Sequence, residues 1–180
     1  MNNRLEIRLA GIGGQGVVYA AELLGRTAAL KHHVAVSASY GPESRGSLTK
    51  SEVVISDHPI DYPQSESPNI LVAMHQVGYD AWADKTSREG TIIIDSYLVK
   101  PHFSHDKIVV FHHSLLPALQ IARDEIKNAG LANLIITGFT ARTSRIISLD
   151  ELILAFKEMS SAPEFERGKK ALEIGFNYNG

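Results

Sequence analysis

The chain contains no cysteine at all. It therefore forms no disulfide, offers no thiol nucleophile and cannot ligate an iron–sulfur cluster through cysteine. It has no long apolar run, so the sequence predicts no membrane span, and its start lacks a signal-peptide core. A formal net charge of −2 leaves no basic footprint for nucleic acid. These absences favour a cytoplasmic protein, and the length fits one domain over residues 1–180.

Several common catalytic and metal-binding motifs are missing as well. There is no G-x-S-x-G of a serine hydrolase, no P-loop lysine and no H-E-x-x-H. The eight histidines are most closely spaced at His102, His105 and the pair His112-His113, but no carboxylate completes a facial triad there. The sequence therefore predicts no metal site on this chain.

The most informative stretch is a strand, a glycine turn and a helix near the start. Residues 5–10 alternate apolar and polar side chains, as a half-buried strand does, and the apolar positions after Gly16 have helical spacing. Between them, Gly11, Gly13 and Gly16 match G-x-G-x-x-G. Glycine permits positive φ and close approach of a ligand or backbone, and the start of the helix offers free N–H groups to an anion.

A dinucleotide site is one interpretation of this turn, but its confirming residue is missing. Such sites place an Asp or Glu on the ribose about 20 residues after the glycines, at the end of the second strand. Here the second strand is predicted at residues 34–40 (VAVSASY), which contain no carboxylate and do not end in arginine. Close packing of helix on strand, or contact with another protein, is the simpler use of the glycines.

A second polar loop, Tyr40 to Gly46 (YGPESRG), follows that strand. Its Gly and Pro explain a turn, but they do not explain why Tyr40, Glu43 and Arg45 fall so close together. Arg45 either binds a carboxylate or phosphate in bidentate fashion or pairs locally with Glu43. Because both loops follow carboxyl ends of strands, we expect them at one edge of the sheet, where such folds present functional residues.

Strands alternate with helices over the first two thirds of the chain, and helices follow. Further strands are predicted at 48–56, 70–74, 91–95 and 107–111, and helices at 14–31, 76–85, 114–128, 131–144, 148–159 and 163–176. Ser114 is expected to cap the third helix, and Ser148-x-x-Glu151 matches a capping box at the fifth. The pattern predicts an α/β, Rossmann-like fold, with a mostly parallel sheet flanked by helices and a helical C-terminal third.

Taken together, the two loops resemble a known family. G-I-G-G-Q-G at 11–16, followed by S-Y-G-P-E-S-R-G at 39–46, is similar to the gamma subunit of 2-oxoacid:ferredoxin oxidoreductases. The resemblance covers essentially the whole chain, through later segments at 69–74, 138–159 and 171–175. One departure is Ser47, which stands where the family usually has a second glycine after R-G.

The resemblance implies a reaction that spacing alone does not give. Enzymes of this family oxidatively decarboxylate a 2-oxoacid, form an acyl-CoA and reduce ferredoxin or flavodoxin, using thiamine diphosphate, Mg²⁺ and iron–sulfur clusters. The implied partners are an alpha subunit, a beta subunit with thiamine diphosphate and a ferredoxin-like delta subunit. Because this chain has no cysteine and no G-D-G…N stretch, we expect it to hold none of these cofactors and to be inactive alone. Its opening E-I-R-L most resembles 2-oxoglutarate-type chains, with pyruvate and other 2-oxoacid types as alternatives.

The resemblance also selects candidate site residues. We expect no catalytic residue on this chain, and we expect the two loops to face a subunit interface or a CoA-binding cleft. The candidates are Gly11, Gly13, Gly14, Gln15, Gly16, Ser39, Tyr40, Gly41, Glu43, Arg45 and Gly46. The competing hypotheses are a free-standing nucleotide-binding enzyme that uses the glycine turn and an interaction module without a ligand.

Overall fold

The computed structural model describes residues 4–40, 47–102 and 112–179, and in these ranges six strands form one sheet. The strands are β1 (Arg4–Ile12), β2 (His33–Tyr40), β3 (Leu48–Ser56), β4 (Ile70–Ala73), β5 (Thr91–Asp95) and β6 (His112–Leu116). The α-helices of the same ranges are α1 (Val17–Ala28), α2 (Gln76–Trp82), α3 (Ala118–Asp124), α4 (Ala132–Ser144), α5 (Leu149–Met159) and α6 (Ala162–Asn177). This order confirms the predicted α/β fold and its helical C-terminal third.

The sheet is mostly parallel, with one reversed strand. Its order is β2-β3-β1-β4-β5-β6, and β3 runs against both of its neighbours while β1, β4, β5 and β6 are parallel. The alternation of apolar and polar side chains could not predict that β3 lies between β1 and β2. It indicates which face of a strand is buried, but not which strands pair with each other. Thr49 of β3 pairs with Gly11 on one side and Tyr40 on the other. The carboxyl ends of β1 and β2 therefore lie at the same edge, as predicted.

Helices cover the two faces of the sheet unequally. On one face, α1 and α3 to α6 bury the larger core together with sheet residues such as Ile7, Val72 and Ile93. On the other face, α2 buries a smaller core through Tyr79, which packs with Ile92. Helix α4 is buried on nearly every side because it contacts α1, α3, α5, α6 and β4. Among the described helices, none has the length and hydropathy that a membrane crossing requires.

The polar face of β1 is less exposed than its alternating pattern suggests. Arg8 is only 2% exposed, and its Nη2 and Nε atoms donate to Glu52 Oε1 at 2.6 and 2.8 Å. The two residues are register partners across the β1–β3 ladder, and the Trp82 ring centre lies 4.4 Å from the guanidinium carbon of Arg8. The facing carboxylate is what permits a charged side chain to be buried here.

One predicted helix start is wrong. Ser114 does not cap a helix but lies in β6, where it pairs with Ile93 of β5, so its backbone is extended. Helix α3 begins only at Ala118. The strand predicted at 107–111 lies outside the described residues.

The predicted capping box at the start of α5 is confirmed. Ser148 Oγ accepts from the Glu151 N–H at 3.4 Å, and the Glu151 carboxylate accepts from the Ser148 N–H at 3.0 Å. Lys31, which follows α1, forms an ion pair with the same carboxylate. The hydrogen bond from Lys31, followed by those from Ser148, lowers the pKa of Glu151 to about 2. The ion pair joins the end of α1 to the start of α5 at the surface.

Two glycines allow α4 and α6 to pack closely. A Cβ atom at Gly138 would overlap the Leu172 carbonyl oxygen, and one at Gly175 would overlap the Ile135 carbonyl oxygen. Backbone atoms cannot rotate away as a flexible side chain can, so relief of the overlap requires the helices to move apart.

Replacing Gly138 by Ala is therefore expected to lower the free energy of unfolding by about 2 kcal/mol, since overpacking outweighs the gain in helix propensity. Urea denaturation of the isolated chain measures this change. Glu166→Ala, on the exposed side of α6, is the control and is expected to change little. A Gly138→Ala variant as stable as the wild type would contradict the close packing of α4 on α6.

Candidate ligand-binding site at the glycine turn

Two glycines give the turn between β1 and α1 its shape. Gly14 has a φ of 96° and Gly16 a φ of 76°, in the left-handed region that residues with a Cβ atom rarely adopt. The helix predicted from residue 14 therefore starts at Val17. Gly16 supplies no side-chain cap, and the first turn of α1 has no acidic residue. Because Gly16 offers no side-chain acceptor to the N–H groups at the start of α1, an anion is favoured at this point.

The side chain of Gln15 holds the turn in place. Its Oε1 accepts from the Ile12 N–H, and its Nε2 donates to the Met74 carbonyl just after β4, each at 2.9 Å. A Cβ atom at Gly11 would lie 2.5 Å from Gln15 Oε1, so a larger residue at this position would displace the Gln15 amide. Glutamine fits because its amide carries both an acceptor and donors. The residue that the sequence selected as a contact candidate thus uses its amide within the turn.

The ends of the second predicted loop lie beside this turn. Gly13 donates its backbone N–H to the Ser47 carbonyl at 3.1 Å, which joins the turn to the start of β3. Tyr40 ends β2 at the same edge of the sheet, and Ser39 is exposed next to it. The remaining candidates, Gly41, Glu43, Arg45 and Gly46, lie outside the described residues. The structure therefore brings together the glycine turn and both ends of the loop.

A cavity of about 330 Å³ opens beside the turn at the carboxyl edge of the parallel strands. We call it the turn cavity. Its mostly apolar lining includes Gly14, Gln15, Met74, Asp95, Leu119 and Asn133. Open α/β sheets bind ligands in the crevice at this edge, and a cavity of this size accommodates part of a small molecule.

Asp95 forms part of the cavity wall and also anchors α3. Its Oδ1 accepts from the Tyr97 N–H and its Oδ2 from the Leu119 N–H, each at 3.1 Å. The second bond takes the place of a cap, because Pro117 at the N-cap position of α3 makes no side-chain cap bond. Burial raises the pKa of Asp95 above its usual value, and the two backbone bonds oppose that shift. The only signal in the sequence that could have identified Asp95 as a site residue is its position at the end of a β-branched strand.

Asn133 of α4 lies directly over the start of α1. A Cβ atom at Gly16 would overlap its side-chain amide nitrogen, and its Oδ1 accepts from the Leu134 N–H at 2.9 Å. The Nδ2 group is therefore the part of Asn133 that faces the turn. No local signal in the sequence identifies this residue, because the contact joins two segments that are far apart in the chain.

The histidines are not assembled into a metal centre in the described ranges. His102 Nε2 lies 2.8 Å from Asp80 Oδ1 at an exposed position, while burial lowers the pKa of His113. Residues 4–40, 47–102 and 112–179 contain no cluster of three His, Asp or Glu side chains that fits a metal ion. His105 lies outside these ranges.

Replacing Gln15 by Ala is expected to lower the free energy of unfolding by about 1–3 kcal/mol, because it leaves the Ile12 N–H and the Met74 carbonyl without partners. Chemical denaturation of the isolated chain measures the loss. Gln64→Ala removes the same side chain at an exposed position and is expected to have little effect. Equal stability of the two variants would show that the amide does not hold the turn.

Comparisons with known proteins identify relatives of this chain. The family model of pyruvate ferredoxin/flavodoxin oxidoreductase matches residues 6–178. The chain is 38% identical to 2-oxoglutarate synthase subunit KorC of Methanocaldococcus jannaschii, over 97% of this chain and 92% of that protein. It is 31% identical to the pyruvate/ketoisovalerate oxidoreductases common subunit gamma of Thermococcus kodakarensis, over 96% of each chain.

A solved structure supports the same conclusion. The gamma subunit of a keto/oxoacid ferredoxin oxidoreductase from Geobacter sulfurreducens superimposes with a TM-score of 0.86 at 27% identity, over 97% of this chain and 95% of that one. The resemblance that the two loop motifs indicated is thereby confirmed. The chain belongs to the pyruvate ferredoxin/flavodoxin oxidoreductase family and is similar to its gamma subunits.

Proposed function

We propose that this chain is the gamma-type subunit of a 2-oxoacid:ferredoxin oxidoreductase complex that converts 2-oxoglutarate to succinyl-CoA. The observation that carries the proposal is the similarity to a 2-oxoglutarate synthase subunit along nearly the full length of both chains. The more distant relatives, which include a common subunit gamma of pyruvate/ketoisovalerate oxidoreductases, make pyruvate and branched-chain 2-oxoacids the alternatives.

We infer that partner chains hold the redox and thiamine cofactors. This chain has no cysteine to ligate an iron–sulfur cluster. It also has no G-D-G…N stretch of the kind that binds Mg²⁺ and the diphosphate of thiamine diphosphate. We therefore assign thiamine diphosphate and Mg²⁺ to a beta subunit and the clusters to a ferredoxin-like delta subunit, with an alpha subunit completing the complex. Ferredoxin or flavodoxin accepts the electrons from those partners.

The role of this chain is then to bind the thiol substrate, CoA. The uncapped start of α1 favours a phosphate group, and the mostly apolar turn cavity fits the uncharged pantetheine arm. Gln15 holds the turn before CoA arrives, so little ordering is needed on binding. The loop from Tyr40 to Gly46 follows β2 at the same edge, and Arg45 is its candidate for a second phosphate contact.

Native purification of the chain with a C-terminal tag, from its own host, tests this assignment. A thiamine-diphosphate chain and a cysteine-rich chain are expected to copurify. The preparation is expected to reduce viologen with 2-oxoglutarate in a CoA-dependent reaction, at least about tenfold faster than with pyruvate.

An untagged strain taken through the same column is the control for adventitious proteins. A lone chain without activity would contradict the assignment to a complex. A complex that prefers pyruvate or a branched-chain 2-oxoacid would contradict the choice of substrate while leaving the assignment to a complex intact.

A further inference from the structure

Strand β2 forms one edge of the sheet, and β3 is its only neighbour among the described strands. Its eight residues, 33–40 (HVAVSASY), include no lysine, arginine, acidic residue or proline, and its register with β3 runs without a bulge. Val36, near the middle of the strand, is 45% exposed. Charged residues, proline and bulges are the usual protection of an edge strand, so the edge of β2 is open to pairing with a further strand.

The register of the sheet determines which backbone groups of β2 point outward. Both backbone groups of one residue point to the same edge of a strand, and those of the next residue point to the opposite edge. Ala10 of β1 accepts from the Met74 N–H just after β4, so Ala10 faces away from β3. Its register partner Lys50 therefore faces β2, and Ser39, the partner of Lys50, faces β3. The residues of β2 whose N–H and C=O groups point outward are then Val34, Val36 and Ala38.

These outward groups are complementary to a second copy of the same strand. A two-fold axis through Val36, perpendicular to the sheet, makes the two β2 strands antiparallel and places Val36 opposite its own copy. Val34 of each strand then lies opposite Ala38 of the other. Every one of these residues directs its N–H and its C=O at the residue opposite, so each donates one hydrogen bond and accepts one. Opposite side chains also lie on the same face of the joined sheet, as an antiparallel pair requires.

Helix α1 adds complementary charges beside this edge. Gly25 lies directly against β2, because a Cβ atom there would overlap Val36 Cγ2. Glu22 and Arg26, on either side of Gly25 in the sequence, form an exposed ion pair with 2.8 Å between Oε1 and Nη2. The axis through Val36 makes the two α1 helices antiparallel, so Glu22 of one copy faces Arg26 of the other. Since α1 packs on β3, the helices are three strand spacings apart, about 14 Å, which these long side chains can bridge.

We infer that β2 pairs antiparallel with β2 of a second copy of this chain, which joins two six-stranded sheets into one. A two-fold interface needs a self-complementary surface, and both the backbone groups around Val36 and the charges of Glu22 and Arg26 meet this condition. The carboxyl ends of β1 in the two copies then lie at opposite edges of the joined sheet, so the two glycine turns are separate. This inference does not depend on the proposed function.

Sedimentation velocity of the full-length chain over a range of concentrations tests this pairing, and a dimer is expected. Glu22→Arg and Arg26→Glu each place like charges across the axis and are expected to raise the dissociation constant of the dimer at least about tenfold. An equimolar mixture of the two variants has opposite charges across the axis, so it is expected to form heterodimers with an affinity close to that of the wild type. Glu166→Arg makes the same charge change at an exposed position of α6 and is expected to leave the dissociation constant unchanged.

Val36→Pro removes the outward N–H group at the axis and is expected to make the chain monomeric, since proline is tolerated on a strand edge but cannot donate. Val36→Thr keeps the N–H group and the branched shape and is expected to remain dimeric. The charge variants keep the test valid if Val36→Pro does not fold. A wild-type chain that is monomeric at about 0.1 mM would overturn the inference, and this is the result expected if the edge takes a strand of a different protein. A dimer that persists in folded Val36→Pro, or a mixture of the charge variants that associates no more tightly than either alone, would also overturn it.

Discussion

The two hydrogen bonds of the Gln15 amide fix the glycine turn, where the ends of two strands, the start of α1 and one side chain of α4 meet. They connect the turn to the ends of β1 and β4, which are neighbouring parallel strands. Once the turn is fixed, α1 starts at Val17 and packs on the sheet, and Asn133 of α4 closes over Gly16. A single side chain thus links the strand ends, the helix start and the cavity wall. The hydrogen bonds of one such amide contribute a few kcal/mol at most to the free energy of unfolding. In the described ranges, no other glutamine connects the ends of two parallel strands in this way.

The fold was predictable wherever local chemistry decides it. The alternation of β1, the β-branched run of β5 and the capping box at Ser148 all lie where the sequence placed them. The predictions that were wrong concern residues whose conformation is set by contacts with distant segments of the chain. The extended backbone at Ser114 follows from its pairing with β5, and α3 starts where Asp95 replaces the cap that Pro117 does not provide. Burial of a charged residue on β1 likewise depends on a carboxylate of another strand, which no single-strand pattern reveals.

The candidate site was predictable to a similar degree. The glycine turn and the end of β2 were found from short motifs, and strand direction alone placed them at one edge. Asn133 and Asp95 were missed because their role comes from contacts with segments distant in the chain. The absence of cysteine is informative in its own right, because it excludes a cysteine-ligated iron–sulfur cluster on this chain. What the described residues provide is a fixed, anion-favouring turn beside the turn cavity.

Binding of CoA at the glycine turn is tested most directly by NMR of the full-length, ¹⁵N-labelled chain during titration with CoA. The largest shifts are expected at the backbone amides of Gly14, Gly16 and Val17 and at the side-chain amide of Asn133. A different cavity, lined by residues that include His32 and Asp57, provides an internal reference and should show no change. Shifts confined to that cavity, or no shifts at millimolar CoA, would contradict the assignment of the turn as the CoA site.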